Sequence, residues 1–140
     1  MVNRNELRAL ARLRLKEAEH LCNRGMYDGC VYLCGYVVEF ALKARICRFL
    51  NLNEYPETGD LGRIFKTHDF DVLKVLAGLQ DEISITKNAR LFQNWSTATQ
   101  WKPEQRYSPV GTYSELDAKG RLASIKEQTN GVLAWLTKRW

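Results

Sequence analysis

The chain has 140 residues, 45% of them hydrophobic and 26% charged, with a formal net charge of +5. That length corresponds to one domain, residues 1–140, which can bury a core without disulfides or metals. There is no uncharged apolar run long enough for a transmembrane span and no apolar leader after Met1, so we expect neither a membrane span nor a secretory signal, and a cytoplasmic location.

The first half of the chain predicts two long helices. Apolar residues at helical spacing indicate a helix over 5–23 that stops at Gly25. A second helix over 27–51 is apolar on nearly every side, which is typical of the central helix of a bundle. Its two apolar faces, one of which includes Tyr32, Tyr36 and Phe40, exceed what one small bundle covers easily. We therefore predict a homodimer.

One carboxylate interrupts the central helix. Glu39 is the only charged residue in the stretch 29–42, and Lys43 follows it by four residues. Burial of an unpaired charge is costly, and Glu followed by Lys at this spacing is a favourable helix pair. We predict a structural ion pair of Glu39 with Lys43 or with a distant arginine, for which Arg106 is the first candidate.

The second half predicts shorter elements. Thr67 is the expected N-cap of one helix, and Ser114 opens a capping box at the start of another. In chain order we predict a helical turn over 61–65, helices over 67–77 and 82–95, an irregular segment over 95–113, and a last helix over 114–138. The predicted fold is an all-α, up-and-down bundle of four to five helices.

The four cysteines predict core packing and not a metal site. They are Cys22, Cys30, Cys34 and Cys47, and none forms a C-x-x-C pair. Cys30 and Cys34 lie one helical turn apart and could supply two ligands, but no histidine or second close pair completes a site. Reduced core thiols are the simpler interpretation, and we expect neither a metal nor a cofactor.

The excess positive charge lies in the N-terminal part of the chain. Arg4, Arg8, Arg12 and Lys16 recur every four residues and form one stripe on the first helix. A solvated helix face is the commoner meaning of such a stripe. A ridge that contacts phosphates is the alternative.

Several landmarks occur in a characteristic order between Gly25 and Tyr107. They are Gly25-Met26-Tyr27-Asp28-Gly29, Val38-Glu39-Phe40-Ala41-Leu42-Lys43, Thr67-His68-Asp69 and Arg106-Tyr107. In this combination the chain resembles the HEPN superfamily, small helical domains often paired with a nucleotidyltransferase. The resemblance implies a HEPN-like helical fold over the whole chain.

The resemblance also implies a catalytic motif, because the superfamily includes metal-independent ribonucleases with an arginine followed, after four to six residues, by a histidine. Arg63 and His68 fit this spacing, and so do Arg14 and His20. We prefer Arg63 and His68 as the catalytic pair, since His68 is predicted beside a helix N-terminus, where anions bind readily. The alternative is a structural histidine. Ile64 stands where the nucleases often have a polar residue.

Three further residues are candidates for contact with RNA or a nucleotide. Lys66 adds positive charge before His68, while Arg106 and Tyr107 lie in a proline-flanked loop from which they could stack on bases. The alternative is a loop that folds back onto the bundle. Family members that are modified by a nucleotidyltransferase have a tyrosine two residues after the motif histidine, whereas this chain has Phe70.

Three functions are compatible with these features. The first is a HEPN protein acting with a nucleotidyltransferase partner in a toxin–antitoxin or defence-like system, as a metal-independent ribonuclease or an RNA- or nucleotide-binding module. The second is a non-catalytic, dimeric helical interaction module. The third is a nucleotide-binding domain without nuclease activity.

Overall fold

The computed structural model describes residues 2–140. Its helices are α1 Arg4–Asn23, α2 Tyr27–Phe49, α3 Gly59–Phe65, α4 Phe70–Leu76, α5 Ala89–Ala98, a 3₁₀ helix Pro103–Tyr107, α6 Glu115–Lys126 and α7 Val132–Thr137. Within this part of the chain, the only β-type pairing is an isolated bridge between Asn3 and Glu54. The all-α prediction is confirmed, with seven α helices instead of four to five.

The helical hairpin of α1 and α2 forms as the local signals predict. The Asn3 side chain accepts the Glu6 N–H, and the Glu6 carboxylate accepts the Asn3 N–H, which completes a capping box at the start of α1. Gly25 adopts a left-handed φ of 76° after the end of α1. The three residues between the helices turn the chain back, so that α2 packs along α1.

Helix α2 is the centre of the molecule. It contacts α1, α4, α5, α6, α7 and the 3₁₀ helix. Thirteen of its 23 residues are buried, and they include Glu39 and Lys43. Because helices surround it, α2 has almost no amphipathic character, as expected for an internal helix.

The second apolar face of α2 is covered in part by the same chain. Trp101, from the segment after α5, donates a hydrogen bond from Nε1 to the Tyr32 carbonyl oxygen at 3.0 Å. Its ring packs at 4.9 Å from Tyr36 and directly over Gly35. Tyr32, Tyr36 and Phe40 are therefore half-buried within one chain, and this face is a weaker argument for a dimer than the sequence suggested.

The helix predicted over 67–77 begins later, at Phe70, and its N-cap is Asp69 instead of Thr67. The Asp69 carboxylate accepts the N–H groups of Asp71 and Val72. Thr67 accepts the Asp69 N–H through its hydroxyl group. Residues 66–69 form a short, hydrogen-bonded connection between α3 and α4.

The helix predicted over 82–95 is wrong in its first half. Ser84 accepts the Lys87 N–H through its hydroxyl group, and Asn88 accepts the Leu91 N–H through its amide oxygen. These side-chain bonds stabilise turns in competition with helix. Asn88 therefore caps α5, which continues to Ala98.

The helix predicted over 114–138 is divided in two. The capping box predicted at Ser114 is present, with Asp117 as its second member. The chain leaves the helix at Glu127, which has an extended ψ of 128°, and re-enters one at Gly131. A Cβ atom at Gly131 would overlap the Glu127 carbonyl oxygen, so only glycine fits this turn.

No helix within residues 2–140 is both long enough and apolar enough to cross a membrane.

Candidate functional site

The site is organised by three side chains from two parts of the chain. The Glu39 Oε1 atom lies 2.8 Å from Lys43 Nζ and 2.8 Å from His68 Nδ1. Glu39 is 1% exposed and Lys43 is 7% exposed, whereas the His68 side chain is 51% exposed. A carboxylate held in the core thus reaches a histidine at the surface.

The Glu39–Lys43 geometry has the form predicted from sequence, but the distant partner differs. His68 takes the place that the sequence suggested for Arg106, which instead donates to the Pro103 carbonyl oxygen at 3.4 Å. The Lys43 ammonium also lies 4.9 Å from the centre of the Tyr55 ring. Burial, together with the nearby Glu39 charge, raises the pKa of the Tyr55 phenol, so that this residue stays neutral beside the ion pair.

The Glu39 carboxylate selects one tautomer of His68. An ionised carboxylate can only accept hydrogen bonds, so the proton of a neutral His68 ring lies on Nδ1 and is donated to Glu39. The Nε2 atom is then an acceptor. Among the described residues nothing hydrogen-bonds to Nε2 of His68. This arrangement leaves a basic nitrogen available at the surface.

His68 lines a cavity of about 420 Å³. One wall is the start of α4, and the other is the segment between α5 and the 3₁₀ helix. The lining residues are His68, Asp69, Phe70, Asp71, Thr99, Trp101, Lys102, Pro103 and Glu104. Phe70, Trp101 and Pro103 are buried and form an apolar base, while the charged side chains are exposed at the rim.

Aromatic packing fixes the two walls relative to each other. The Phe70 and Trp101 ring centres are 5.6 Å apart. Trp101 also packs against Tyr36, whose pKa is raised to about 12 by burial and by the hydrogen bond with the Tyr32 hydroxyl group. Both walls therefore rest on α2, the helix that also carries Glu39.

The charge of the lining is net negative. Lys102 and, when protonated, His68 face Asp69, Asp71 and Glu104. Two of these acids have local partners: Asp69 caps α4, and Asp71 lies 3.7 Å from Lys74 Nζ. The lining alone does not neutralise a phosphodiester, so a phosphate bound near His68 requires cations from outside the cavity.

Four residues predicted for the site lie outside the lining. Arg63 is exposed in the last turn of α3, and Lys66 is exposed just after it. Arg106 and Tyr107 end the 3₁₀ helix, where the Arg106 guanidinium lies 4.7 Å from the centre of the Tyr107 ring. Tyr107 is 76% exposed. Their roles in catalysis and binding remain predictions.

The cysteines provide no second centre of this kind. All four are buried and free. The hydrogen bond between Cys30 and Cys34 raises the pKa of the Cys34 thiol and lowers that of Cys30, and burial raises the pKa values of Cys22 and Cys47. Within residues 2–140 no three His, Cys, Asp or Glu side chains are arranged to hold a metal ion.

Sequence reasoning missed the wall opposite His68. Thr99, Lys102 and Glu104 are distant from His68 along the chain, and nothing in their local pattern indicates a pocket. The available signal was Gly35 in the middle of a helix. A glycine there indicates the close approach of another element, and that element is the Trp101 segment.

Comparison with known proteins is consistent with this architecture. The sequence model of the HEPN domain matches residues 5–138, nearly the whole chain. Neither a curated protein nor a solved structure matches it. The extent of the family match shows that the chain belongs to the HEPN domain family.

Proposed function

We propose that this protein is a metal-independent endoribonuclease in which His68 is the proton-transfer group. HEPN membership supports a general nucleotide- or RNA-related role. The observation that favours catalysis is the hydrogen bond from His68 Nδ1 to the buried Glu39 carboxylate, with the other ring nitrogen free beside a cavity. A histidine oriented in this way is suited to act as a general base.

In the proposed reaction His68 Nε2 removes the proton from an RNA 2′-hydroxyl group. The 2′-oxygen then forms a bond to the adjacent phosphorus, and the bond to the 5′-oxygen of the next nucleotide breaks. The leaving oxygen takes up a proton from water and the His68 imidazolium gives its proton back to solvent, which leaves a 2′,3′-cyclic phosphate and a 5′-hydroxyl end. Glu39 stabilises the imidazolium that forms in the first step, in the same way that a buried carboxylate stabilises the histidine of a catalytic triad.

The phosphate requires positive charge, since developing negative charge on its oxygens is stabilised by nearby cations. We assign this role to Arg63, with Lys66 and the rim residue Lys102 in support. Arg63 lies in the last turn before the connection that carries His68, and Lys66 is the first residue of that connection. Neither has a carboxylate partner among the described residues. Arg106 and Tyr107 are assigned to a neighbouring base, which would stack on the exposed Tyr107 ring.

The proposed context is a toxin–antitoxin or defence-like system with a nucleotidyltransferase partner. This part rests on the family resemblance. Phe70 lies two residues after His68 and is buried against Trp95 and Trp101, so it offers no hydroxyl group for nucleotide transfer. A partner that silences this protein would therefore act elsewhere on its surface.

The alternative function is a non-catalytic, dimeric interaction module. The observation that favours it is the net-negative lining of the cavity, with Asp69, Asp71 and Glu104 around His68. Such a lining suits a basic segment of a protein partner better than a phosphate.

Cleavage of a structured RNA in the presence of EDTA separates these functions. We expect wild type to cleave and His68→Ala to lose about 10²–10⁴-fold in rate, the usual contribution of a general base. His20→Ala is the matched control, because His20 is exposed on α1 and outside the cavity. Equal cleavage by wild type and His68→Ala would refute the site. If wild type cleaves no RNA, the interaction module becomes the better account.

A further inference from the structure

We propose that a cluster of four arginines on the opposite side of α2 from His68 is a second RNA-contacting site, which binds the phosphate backbone. The arginine cluster consists of Arg4, Arg8 and Arg12 on α1 and Arg48 at the end of α2. This proposal rests on the proposed function only in taking RNA as the ligand. The four arginines bind RNA and take part in no step of the reaction.

The cluster is assembled around Trp140. Arg4 Nη2 and Arg48 Nη1 donate to the Trp140 main-chain oxygen at 2.5 and 3.4 Å. The guanidinium carbons of Arg8 and Arg12 lie 5.5 and 4.8 Å from the centre of the Trp140 ring. Two guanidinium groups therefore contact the main chain of Trp140 and two lie over its ring, so that α1, α2 and the end of the described chain meet at this residue.

The charge of the cluster is not balanced within the described chain. None of the four guanidinium groups forms a salt bridge with a carboxylate among residues 2–140. Burial and the positive charges of Arg4, Arg12 and Arg48 lower the pKa of Arg8. Even a full negative charge on the Trp140 main-chain oxygens would leave the cluster near +3, so an anion bound there would relieve repulsion among the guanidinium groups.

Two of the guanidinium groups are accessible to such an anion. Arg12 and Arg48 are exposed, whereas the Nε atoms of Arg4 and Arg8 are buried without an acceptor and lie out of reach of an external ligand. The guanidinium fork binds phosphate oxygens in pairs, and such charge-assisted bonds are about twice as strong as neutral ones.

The shape of the cluster favours a strand of phosphates over a single one. Arg4, Arg8 and Arg12 follow one another at about 6 Å along α1, and exposed Lys16 extends the row to about 18 Å. This length exceeds the reach of one phosphate group. Trp140 is 2% exposed and cannot stack on a base, so the cluster can read charge but not sequence.

RNA fits this surface better than an acidic protein segment does. Protein interfaces are usually organised around apolar or aromatic anchors that become buried on binding. Here the aromatic ring is already buried beneath the arginines, and what remains for a ligand is positive charge. A phosphate backbone needs no apolar anchor, because positive charge and charge-assisted hydrogen bonds suffice to bind it.

The cluster is separate from the His68 cavity. Arg48 follows Glu39 by nine residues on α2, about two and a half helical turns, and therefore projects from the opposite side of the helix. Loss of the cluster should weaken binding without removing the proton-transfer group.

The test measures binding of a fluorescent 2′-O-methyl oligouridine, which cannot be cleaved, by anisotropy over a series of salt concentrations. We expect Arg12→Gln/Arg48→Gln to weaken binding by roughly tenfold and to reduce the slope of log K against log [salt] by about 1.4, which is 0.7 for each phosphate that the variant no longer neutralises. Both residues are exposed, so the variant should fold, and circular dichroism checks this. Arg24→Gln, an exposed change after α1, is the matched control.

The outcomes are distinct. Arg12→Lys/Arg48→Lys should keep the wild-type salt slope, because the charge is retained. An unchanged salt slope in the glutamine variant would overturn the inference. So would displacement of the oligouridine by polyglutamate as effectively as by unlabelled RNA, which would indicate an acidic protein ligand. Binding through the cluster without cleavage of any RNA would refute the proposed nuclease alone. Cleavage with no dependence of binding on the cluster would refute this inference alone.

Discussion

Glu39 links the stability of this protein to its proposed chemistry. Its Oε1 atom accepts from both Lys43 and His68, while its Oε2 atom is buried without a partner. Such an orphaned oxygen in the core is costly. A purely structural ion pair would satisfy both carboxylate oxygens. Here one oxygen is left without a partner while the other orients an exposed histidine, which is more typical of a functional site.

We predict that Glu39→Ala destabilises the fold by about 3–5 kcal/mol, since the Lys43 charge would be left buried without its partner. This corresponds to a decrease in Tm on the order of 10 °C for a domain of this size. Thermal and urea unfolding measure the change. Glu57→Ala, at an exposed position, is the control and should leave the Tm within error. A Tm for Glu39→Ala as high as that of the control would mean that Lys43 finds another acceptor.

At the scale of elements, the contact of α2 with the Trp101 segment forms the wall of the cavity opposite His68. Gly35 is the residue that allows it, because a Cβ atom at this position would overlap the Trp101 ring. A side chain there would require the Trp101 segment to move away from α2, and we expect this to widen the cavity without any change to His68 or Glu39.

We therefore predict that Gly35→Ala destabilises the protein by about 1–3 kcal/mol, the usual cost of overpacking a core, despite the better helix propensity of alanine. Gly120→Ala is the matched control, since Gly120 is also inside a helix but has nothing near its added Cβ atom. That control should be neutral or stabilising by up to about 1 kcal/mol. Urea unfolding monitored by tryptophan fluorescence compares the two. Equal stability of the two variants would show that Trp101 yields without cost.

The sequence predicted those elements whose ends are determined locally. Helices α1 and α2 and the capping box at Ser114 depend on caps, glycines and periodicity within a few residues. The break between α6 and α7 depends on α5, because the Asn94 side chain donates to Glu127 and to the Asn130 carbonyl oxygen. Such contacts between distant residues leave no trace in local periodicity.

The same distinction applies to the site. His68 could be selected from its position before a helix and from the family spacing. Its contact with Glu39 spans 29 residues, and the pairing of Glu39 with a histidine instead of Arg106 depends on where α3 and α4 place the connection between them. The opposite wall depends on Trp101, whose partner Tyr32 is 69 residues away. Contacts between residues this far apart along the chain can be identified only once the fold is known.

At the scale of the whole molecule, the two short helices that flank His68 each expose two large apolar side chains. On α3, Leu61 and Ile64 are 61% and 56% exposed, and on α4, Val72 and Val75 are 40% and 54% exposed. Trp101 already covers part of the face of α2 that the sequence suggested as an interface. The two short helices that flank His68 are thus the better candidates for contact with a second copy of the chain.

We predict a homodimer that forms through α3 and α4 and brings the Arg63 side chains of both copies toward the cavities, where Lys102 alone does not balance the three acids of the lining. Sedimentation velocity at micromolar concentration should give twice the 16.2 kDa mass of one chain. Ile64→Lys/Val75→Lys should sediment as a monomer, because four lysines would face one another across a two-fold interface.

Ile85→Lys is the control for this experiment, since Ile85 is 64% exposed but lies in the turns between α4 and α5. It should leave the dimer intact. A monomeric wild type would refute the dimer, and a dimeric Ile64→Lys/Val75→Lys variant would place the interface elsewhere. If the monomeric variant also loses cleavage of RNA while keeping the wild-type Tm, the second copy is needed for catalysis. The physical reason would be that each cavity depends on cations that its own chain does not place in the lining.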